Sequence, residues 1–340
     1  MSWFDLAGRD LIREVDWTRE EHDIAMKVTD QLKTAYYSRK PHHTLQDKTF
    51  AMLFFAGSTR TRMSFETGMT QLGGHAHFLN PSTMRMSLED KPGAGETVKD
   101  TAKAMARFCD GIGIRLLDDA IDRYGFGDEV MRRFAEEAEV PVINMASDIN
   151  HPCQSLTDIY TMHEKLEGNV TGKKIVIMWA YTPWIRGLCS VQGTALISSM
   201  YGMDVVVAHP PEYDMDPNVM AQCRDLAAAS NGRFTVENDL DRALEGATVV
   251  FPRNWFTMDR YRIGKEAEHE IALKYKDWCY TAEKQALTDP GYLLQCMPVD
   301  RGHEAEPAVC DNERSWIYDQ AENRLHTQKA ILTLTMGGRL

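Results

Sequence analysis

Residues 58–62 read Ser58-Thr59-Arg60-Thr61-Arg62 and follow the apolar run AMLFF at 51–55. Three hydroxyl groups and two guanidinium groups within one short stretch have the chemistry of an anion site. Gly57 ahead of them allows a tight turn. Ser58 or Thr59 can cap a helix whose first free N–H groups and positive dipole end then face the anion. Arg60 adds a planar fork suited to phosphate oxygens. The glycine-rich loop G-x-x-x-x-G-K-[ST] is absent. By itself the run also reads as an ordinary helix cap with solvated arginines.

Other groups of the same kind recur at equivalent places. HPCQSLTD, residues 151–158, follows the apolar run PVINMA, and His151 and Gln154 lie three apart at a helix start, within reach of one small ligand. Arg115 ends the stretch GIGIR, LLQCMPVDRG carries Cys296, Met297 and Arg301, and AENRLHTQKAIL sets Arg324 near the start of the last helical pattern. A cysteine nucleophile at 296 is disfavoured, because residue 295 is Gln and no activating histidine precedes it.

These groups need elements to position them. Short runs rich in Val, Ile and aromatic residues predict strands at 49–56, 111–115, 140–145, 174–180, 204–209, 247–251, 291–297 and 316–319. Amphipathic helical patterns lie between them. Phe65, Met69 and Leu72 form one face, and Leu156, Tyr160, His163 and Leu166 another. Alternation of this kind predicts an α/β fold with parallel, doubly wound sheets, whose ligands bind outside the carboxyl ends of the strands. The pattern restarts after the turn in EGNVTGKKIVIMWA, so two domains are expected: 1–150, with a C-terminal helix 320–340 packing back on it, and 151–319. The N-terminus reads as a short docking segment followed by a helix starting near Thr18, with no evident chemistry.

The 340 residues carry 38 basic and 50 acidic side chains, a net charge of −12 that repels phosphate backbones and speaks against nucleic acid. A bound anion therefore needs a local basic pocket. Seven scattered cysteines without a C-x-x-C pair give neither a disulfide framework nor zinc spacing. No apolar run approaches a membrane span or a signal peptide, so a cytoplasmic protein without metal or cofactor is the expectation.

Taken together and in order, S-T-R-T-R, the isolated strand-end arginine, H-P-C-Q, C-M-P and the E-N-R helix resemble the aspartate/ornithine carbamoyltransferase family along essentially the whole chain. The resemblance implies that carbamoyl phosphate binds first, an amine attacks its carbonyl carbon, and phosphate leaves, with no covalent intermediate. It assigns Ser58, Thr59, Arg60 and Thr61 to the phosphate, with Arg115 adding charge. His151, Arg115 and Thr61 would polarise the carbamoyl oxygen. Gln154 would orient the amide, and Cys296 and Arg324 would line the carbamoyl group and the incoming amine. It further implies a homotrimer with sites shared between subunits. Arg85 and Lys91 of the Gly/Pro-rich stretch 80–100 would reach across, although that stretch also reads as a solvated surface loop.

The acceptor side departs from the commonest members. Arg253 in VVFPRNWFTMDRYR stands where ornithine enzymes of the family carry an Asp that holds an α-ammonium. Gln295 and Met297 replace the usual His and Leu. A guanidinium repels an ammonium and attracts a carboxylate, so the expected acceptor is N-acylated or otherwise anionic. IMWAYTPWIRGLCSVQG with GMDVVVAHPPEYDM resembles the N-acetylornithine/N-succinylornithine branch, which implies a knot in the second domain, against the general rarity of knots. That branch's glutamate after the NM pair is missing, and Asp148 stands three residues before His151. Asn144 is a candidate acceptor contact with Met297 and Arg301, and it could also simply terminate its strand. The alternatives are an ornithine-type enzyme with a free amino acid acceptor and a non-catalytic carbamoyl phosphate-binding paralogue. A nicotinamide-dependent dehydrogenase lacks G-x-G-x-x-G after any predicted strand.

Overall fold

A computed structural model describes residues 3–88, 91–117 and 120–338. Along the chain run α1 (Arg19–Tyr37), β1 (Thr49–Phe54), α2 (Thr59–Gln71), β2 (His75–Leu79), α3 (Val98–Met105), β3 (Gly111–Arg115), α4 (Phe126–Glu137), β4 (Val142–Ala146), α5 (Pro152–Lys165), β5 (Lys174–Trp179) and α6 (Cys189–Met200). Then follow β6 (Asp204–Ala208), α7 (Pro217–Ala229), β7 (Arg233–Glu237), α8 (Leu240–Leu244), β8 (Val249–Arg253), α9 (Arg260–Ile263), α10 (Lys265–Ala272), α11 (Ala282–Gln285), β9 (Tyr292–Leu293), α12 (Pro307–Cys310) and α13 (Ile317–Thr335). The chain divides into two compact units, Met1–Leu156 with Arg324–Leu340, and Thr157–Asn323.

The first unit holds a parallel sheet in the order β2-β1-β3-β4. β1 and the strands beside it on one flank are buried on both faces, as continuous apolar runs such as TFAMLF require. The sequence turns from β1 to β2 on one side and to β3 on the other. The switch point therefore lies between β1 and β3, where their carboxyl ends open a crevice. Ser58 and Arg115 stand at those two ends. The second unit repeats the arrangement as β7-β6-β5-β8-β9, again all parallel, with its switch point between β5 and β8. α6 is buried along its whole length. Among the described residues no helix is long and apolar enough to cross a membrane.

Three differences from the sequence expectations have physical causes. β2 and β7 are edge strands with no fully buried position, and their sequences HAHFL and RFTVE carry charged or histidine side chains that conceal them. Residues 316–319 are not a strand: the carbonyl of Trp316 accepts from the amide of Gln320 and starts α13, while its ring stacks on Tyr292 at 4.1 Å. The strand expected at 291–297 ends after Leu293, because the amide of Gln295 bonds the side chain of Gln320 at 2.8 Å and Met297 takes the left-handed φ of +53°.

The N-terminal segment has a definite place. The amide of Leu11 donates to Val142 at 2.9 Å, and that of Asn144 donates to Leu11 at 2.8 Å. The amide of Val142 reaches Asp10 Oδ1 at 2.7 Å. Residues 10–12 thus run beside β4, and a single 3-10 turn at Glu14–Asp16 follows before α1 begins at a capping box of Thr18 and Glu21.

Candidate active site

Ser58 caps α2. Its Oγ accepts from the amide of Thr61 at 3.2 Å and lies 3.0 Å from Thr61 Oγ1. Thr61 is buried, and its Oγ1 accepts from Arg324 Nη2 at 3.0 Å. The same guanidinium donates through Nη1 to Gln154 Oε1 and through Nη2 to His151 Nε2, the latter at 3.2 Å. One arginine on the last helix therefore gathers the hydroxyl of α2 and both polar side chains at the start of α5. Arginine only donates, so His151 Nε2 accepts and a neutral imidazole carries its proton on Nδ1. Sheet register sets Arg115 at the carboxyl end of β3: it pairs with Phe54, and its carbonyl accepts from the amide of Phe55 at 3.0 Å, one step before the 56–58 loop. Gly57 corrects an expectation. Its φ is not left-handed, and a Cβ there would meet nothing within 4 Å, so the loop does not depend on glycine.

Behind this group lies a buried acidic layer. Glu14 is fully buried, and its Oε1 accepts from the amide of His151 and from Ser155 Oγ, both at 2.9 Å. Burial pushes the Glu14 carboxyl up to about 7 against these hydrogen bonds, with the nearby Asp128 adding to the rise. Asp148 accepts from the amides of Gly125 and Asp128 at the start of α4, and burial raises its carboxyl to about 6. Asp148 thus caps a helix. The Cys153 thiol is buried and pushed up to about 12, which makes it inert.

In the second unit, Arg253 ends β8 opposite Trp179 of β5, at the switch point. Its Nη1 donates to the carbonyl of Pro298 at 3.0 Å. Glu304 is wholly buried: Oε1 accepts from the amide of Asn254 at 3.1 Å, and Oε2 from the amide of Asp300 at 2.8 Å and from Gln295 Nε2 at 3.2 Å. Arg186 Nε and Arg253 Nη1 approach the same carboxylate at only 3.4 and 3.9 Å. Burial, and then the charge of Arg253, hold the Arg186 guanidinium below its ordinary pKa. Among the described residues no three of His, Cys, Asp or Glu are grouped to hold a metal ion.

Residues 9–164 match the family described as aspartate/ornithine carbamoyltransferase, carbamoyl-P binding domain, and residues 172–335 match its Asp/Orn binding domain. The chain belongs to the aspartate/ornithine carbamoyltransferase family. It is a carbamoyltransferase. Ornithine carbamoyltransferase of Thermococcus kodakarensis is 38% identical over 335 residues, covering 98% of each chain, and the anabolic ornithine carbamoyltransferase of Pyrococcus furiosus is similar to the same extent. Among solved structures, acetylornithine transcarbamylase complexed with acetylcitrulline superposes with a TM-score of 0.90 at 32% identity, over 96% of this chain and 98% of that one. A variant of N-acetyl-L-ornithine transcarbamylase complexed with carbamyl phosphate and N-succinyl-L-norvaline gives the same TM-score and identity.

Within this carbamoyltransferase, Ser58, Thr61, His151, Gln154 and Arg324 form one hydrogen-bonded group, with Thr59 and Arg60 on the same first turn of α2. Cys296 is buried beside Met297 in the second unit. Two acceptor-side expectations fare differently. Asn144 lies in the middle of β4 and terminates nothing; it is wholly buried, and its Nδ2 donates to the carbonyl of Ile12 at 2.7 Å. Arg301 forms a two-pronged ion pair with Asp311 at 2.6 and 2.8 Å, which occupies its fork. Arg85 and Lys91 are exposed in a loop closed by the amide of Glu96 on the carbonyl of Arg85 at 2.7 Å. Gly95 is needed there, since a Cβ would fall 2.2 Å from that carbonyl oxygen. Sequence reasoning missed Glu14 and Glu304, which are acidic residues with no exposed surface.

Proposed function

We propose that the protein transfers the carbamoyl group of carbamoyl phosphate to an amine bearing a negative charge away from its nucleophilic nitrogen, and releases phosphate. The first turn of α2, with Ser58, Thr59, Arg60 and Thr61, takes the phosphate, and Arg115 supplements its charge. His151, Gln154 and Arg324 take the carbamoyl end and stabilise negative charge growing on its oxygen in the tetrahedral transition state. The departing phosphate is the natural acceptor for the amine's proton. Cys296 lines the carbamoyl side without attacking it. In a homotrimer, Arg85 and Lys91 of a neighbouring copy complete each site.

The observation that carries the acceptor reading is the pair Arg186 and Arg253 around one buried carboxylate that is already engaged by Asn254, Gln295 and Asp300. Two partly desolvated guanidiniums repel each other, and an arriving carboxylate relieves that repulsion. An ornithine α-ammonium would add to it. Arg253→Asp is expected to raise the acceptor's KM by about 100-fold or more, as expected when a charge-assisted fork becomes a repulsion. The KM for carbamoyl phosphate should stay within about threefold of wild type, on the same free-energy scale. Steady-state phosphate release checks both numbers, and an unchanged acceptor KM contradicts the reading.

The names of the relatives favour a second reading, ornithine itself as acceptor. Phosphate release in the presence of carbamoyl phosphate separates the two across ornithine, acetyl- and succinyl-ornithine, putrescine, lysine, aspartate, other diamino acids and oxamate. Turnover confined to anionic or acylated acceptors supports the proposal, and turnover with free ornithine alone overturns it. Saturable carbamoyl phosphate binding without turnover on any amine would instead identify a binding paralogue.

A further inference from the structure

Residues 10–12 lie along β4 and lead into a 3-10 turn that brings Glu14 to the turn ahead of His151. The carboxyl group is completely buried. Its Oε1 holds the amide of His151 and the hydroxyl of Ser155, both at 2.9 Å, while Oε2 accepts no hydrogen bond from the described residues. The backbone carbonyl of Glu14 accepts from His22 Nε2 at 2.8 Å, which fixes the segment to α1. The titratable groups around the carboxyl are Asp128 from α4, His151 from the preceding turn, Cys153 from α5 and His22 from α1.

Burying a carboxyl with one oxygen unsatisfied costs far more than an apolar side chain of similar volume. What the carboxyl supplies in return is an acceptor for the first orphan amide of α5 and a lock on Ser155, one turn further on. Those two bonds fix the peptide that carries His151 and, through it, the rotation of α5 that presents Gln154. We propose that Glu14 is a positioning residue that sets His151 and Gln154 against the carbamoyl end of carbamoyl phosphate. The inference rests on the reading of the site given above. Either protonation state leaves Oε1 as an acceptor, so the charge is dispensable and the oxygen is not.

The test compares Glu14→Leu, which removes the acceptor, with Glu14→Gln, which keeps it without charge. Carbamoyl phosphate and inorganic phosphate are titrated against each full-length protein by calorimetry, with near-UV circular dichroism as a check on folding. Wild type should prefer carbamoyl phosphate. Glu14→Leu should lose that preference by about tenfold or more, in line with the loss of the buried acceptor for two hydrogen bonds that order the site. Its affinity for inorganic phosphate, held by the α2 turn, should stay within about twofold. Glu14→Gln should restore the preference to within about threefold of wild type. A Glu14→Leu protein that keeps the full preference, or that weakens both ligands equally, overturns the assignment, as does a Gln variant no better than Leu. A wild-type protein that binds phosphate with no preference for carbamoyl phosphate would instead overturn the site reading itself.

Discussion

Replacing Arg324 with Ala should lower kcat/KM for carbamoyl phosphate by about a thousandfold or more, in keeping with the loss of donors preorganised for developing negative charge. The size follows from the position of the side chain. Arg324 is buried on α13, and its single guanidinium reaches Thr61, His151 and Gln154. Removing it leaves three polar groups in a dry environment without the donor that organises them, so the loss should fall on kcat as well as on binding. Arg324→Lys keeps the charge but offers a point donor in place of a fork, and it should recover less than about tenfold of that loss. Phosphate release under saturating acceptor measures both variants, with near-UV circular dichroism to confirm the fold. Activity within about tenfold of wild type in the alanine variant would remove Arg324 from the site.

The second large effect is expected at Arg60. It stands on the first turn of α2, directly after the Ser58 cap, where free amides and the helix dipole already favour an anion. In the proposed site an added guanidinium would meet the phosphate in the ground state and as it departs with growing charge. Arg60→Ala should therefore raise the KM for carbamoyl phosphate and lower kcat, with a combined loss of about a thousandfold in kcat/KM. Because Arg60 is not part of the apolar core, the thermal midpoint should move by no more than a few degrees, as for surface substitutions generally. Near-normal turnover in this variant would place the phosphate elsewhere.

Much of this was legible in the sequence because the chemistry sits on elements with strong local signals. The run 51–55 announces a strand buried on both faces, Ser58 announces a helix cap, and their junction is where a parallel sheet collects ligands. Gly111–Arg115 was readable to its ends for the same reason. What escaped was set by tertiary context. Edge strands β2 and β7 are half exposed and carry polar side chains, so their apolar alternation is weak. The 291–297 run is apolar enough for a strand, but the side chain of Gln320, distant in sequence, takes its amide bond. The ion pair of Arg301 with Asp311, ten residues further on, had no local signal either. Glu14 and Glu304 reveal themselves only through burial, since an isolated acidic residue in sequence reads as surface. Glu14 offered one faint signal, its place between the apolar pair Leu11-Ile12 and Val15 in a segment with room for only one 3-10 turn.

The central claim concerns one group of side chains: Ser58, Thr61, His151, Gln154 and Arg324 receive carbamoyl phosphate. A crystal structure of the protein grown with carbamoyl phosphate, or with a phosphonate mimic joined to an amine, tests it most directly. The account predicts phosphate oxygens at the first turn of α2 in reach of Thr61 and Arg60, and the carbamoyl group against His151, Gln154 and Arg324. Density for the ligand at any other place, with the Arg324 guanidinium still bridging Thr61 and Gln154, would contradict it.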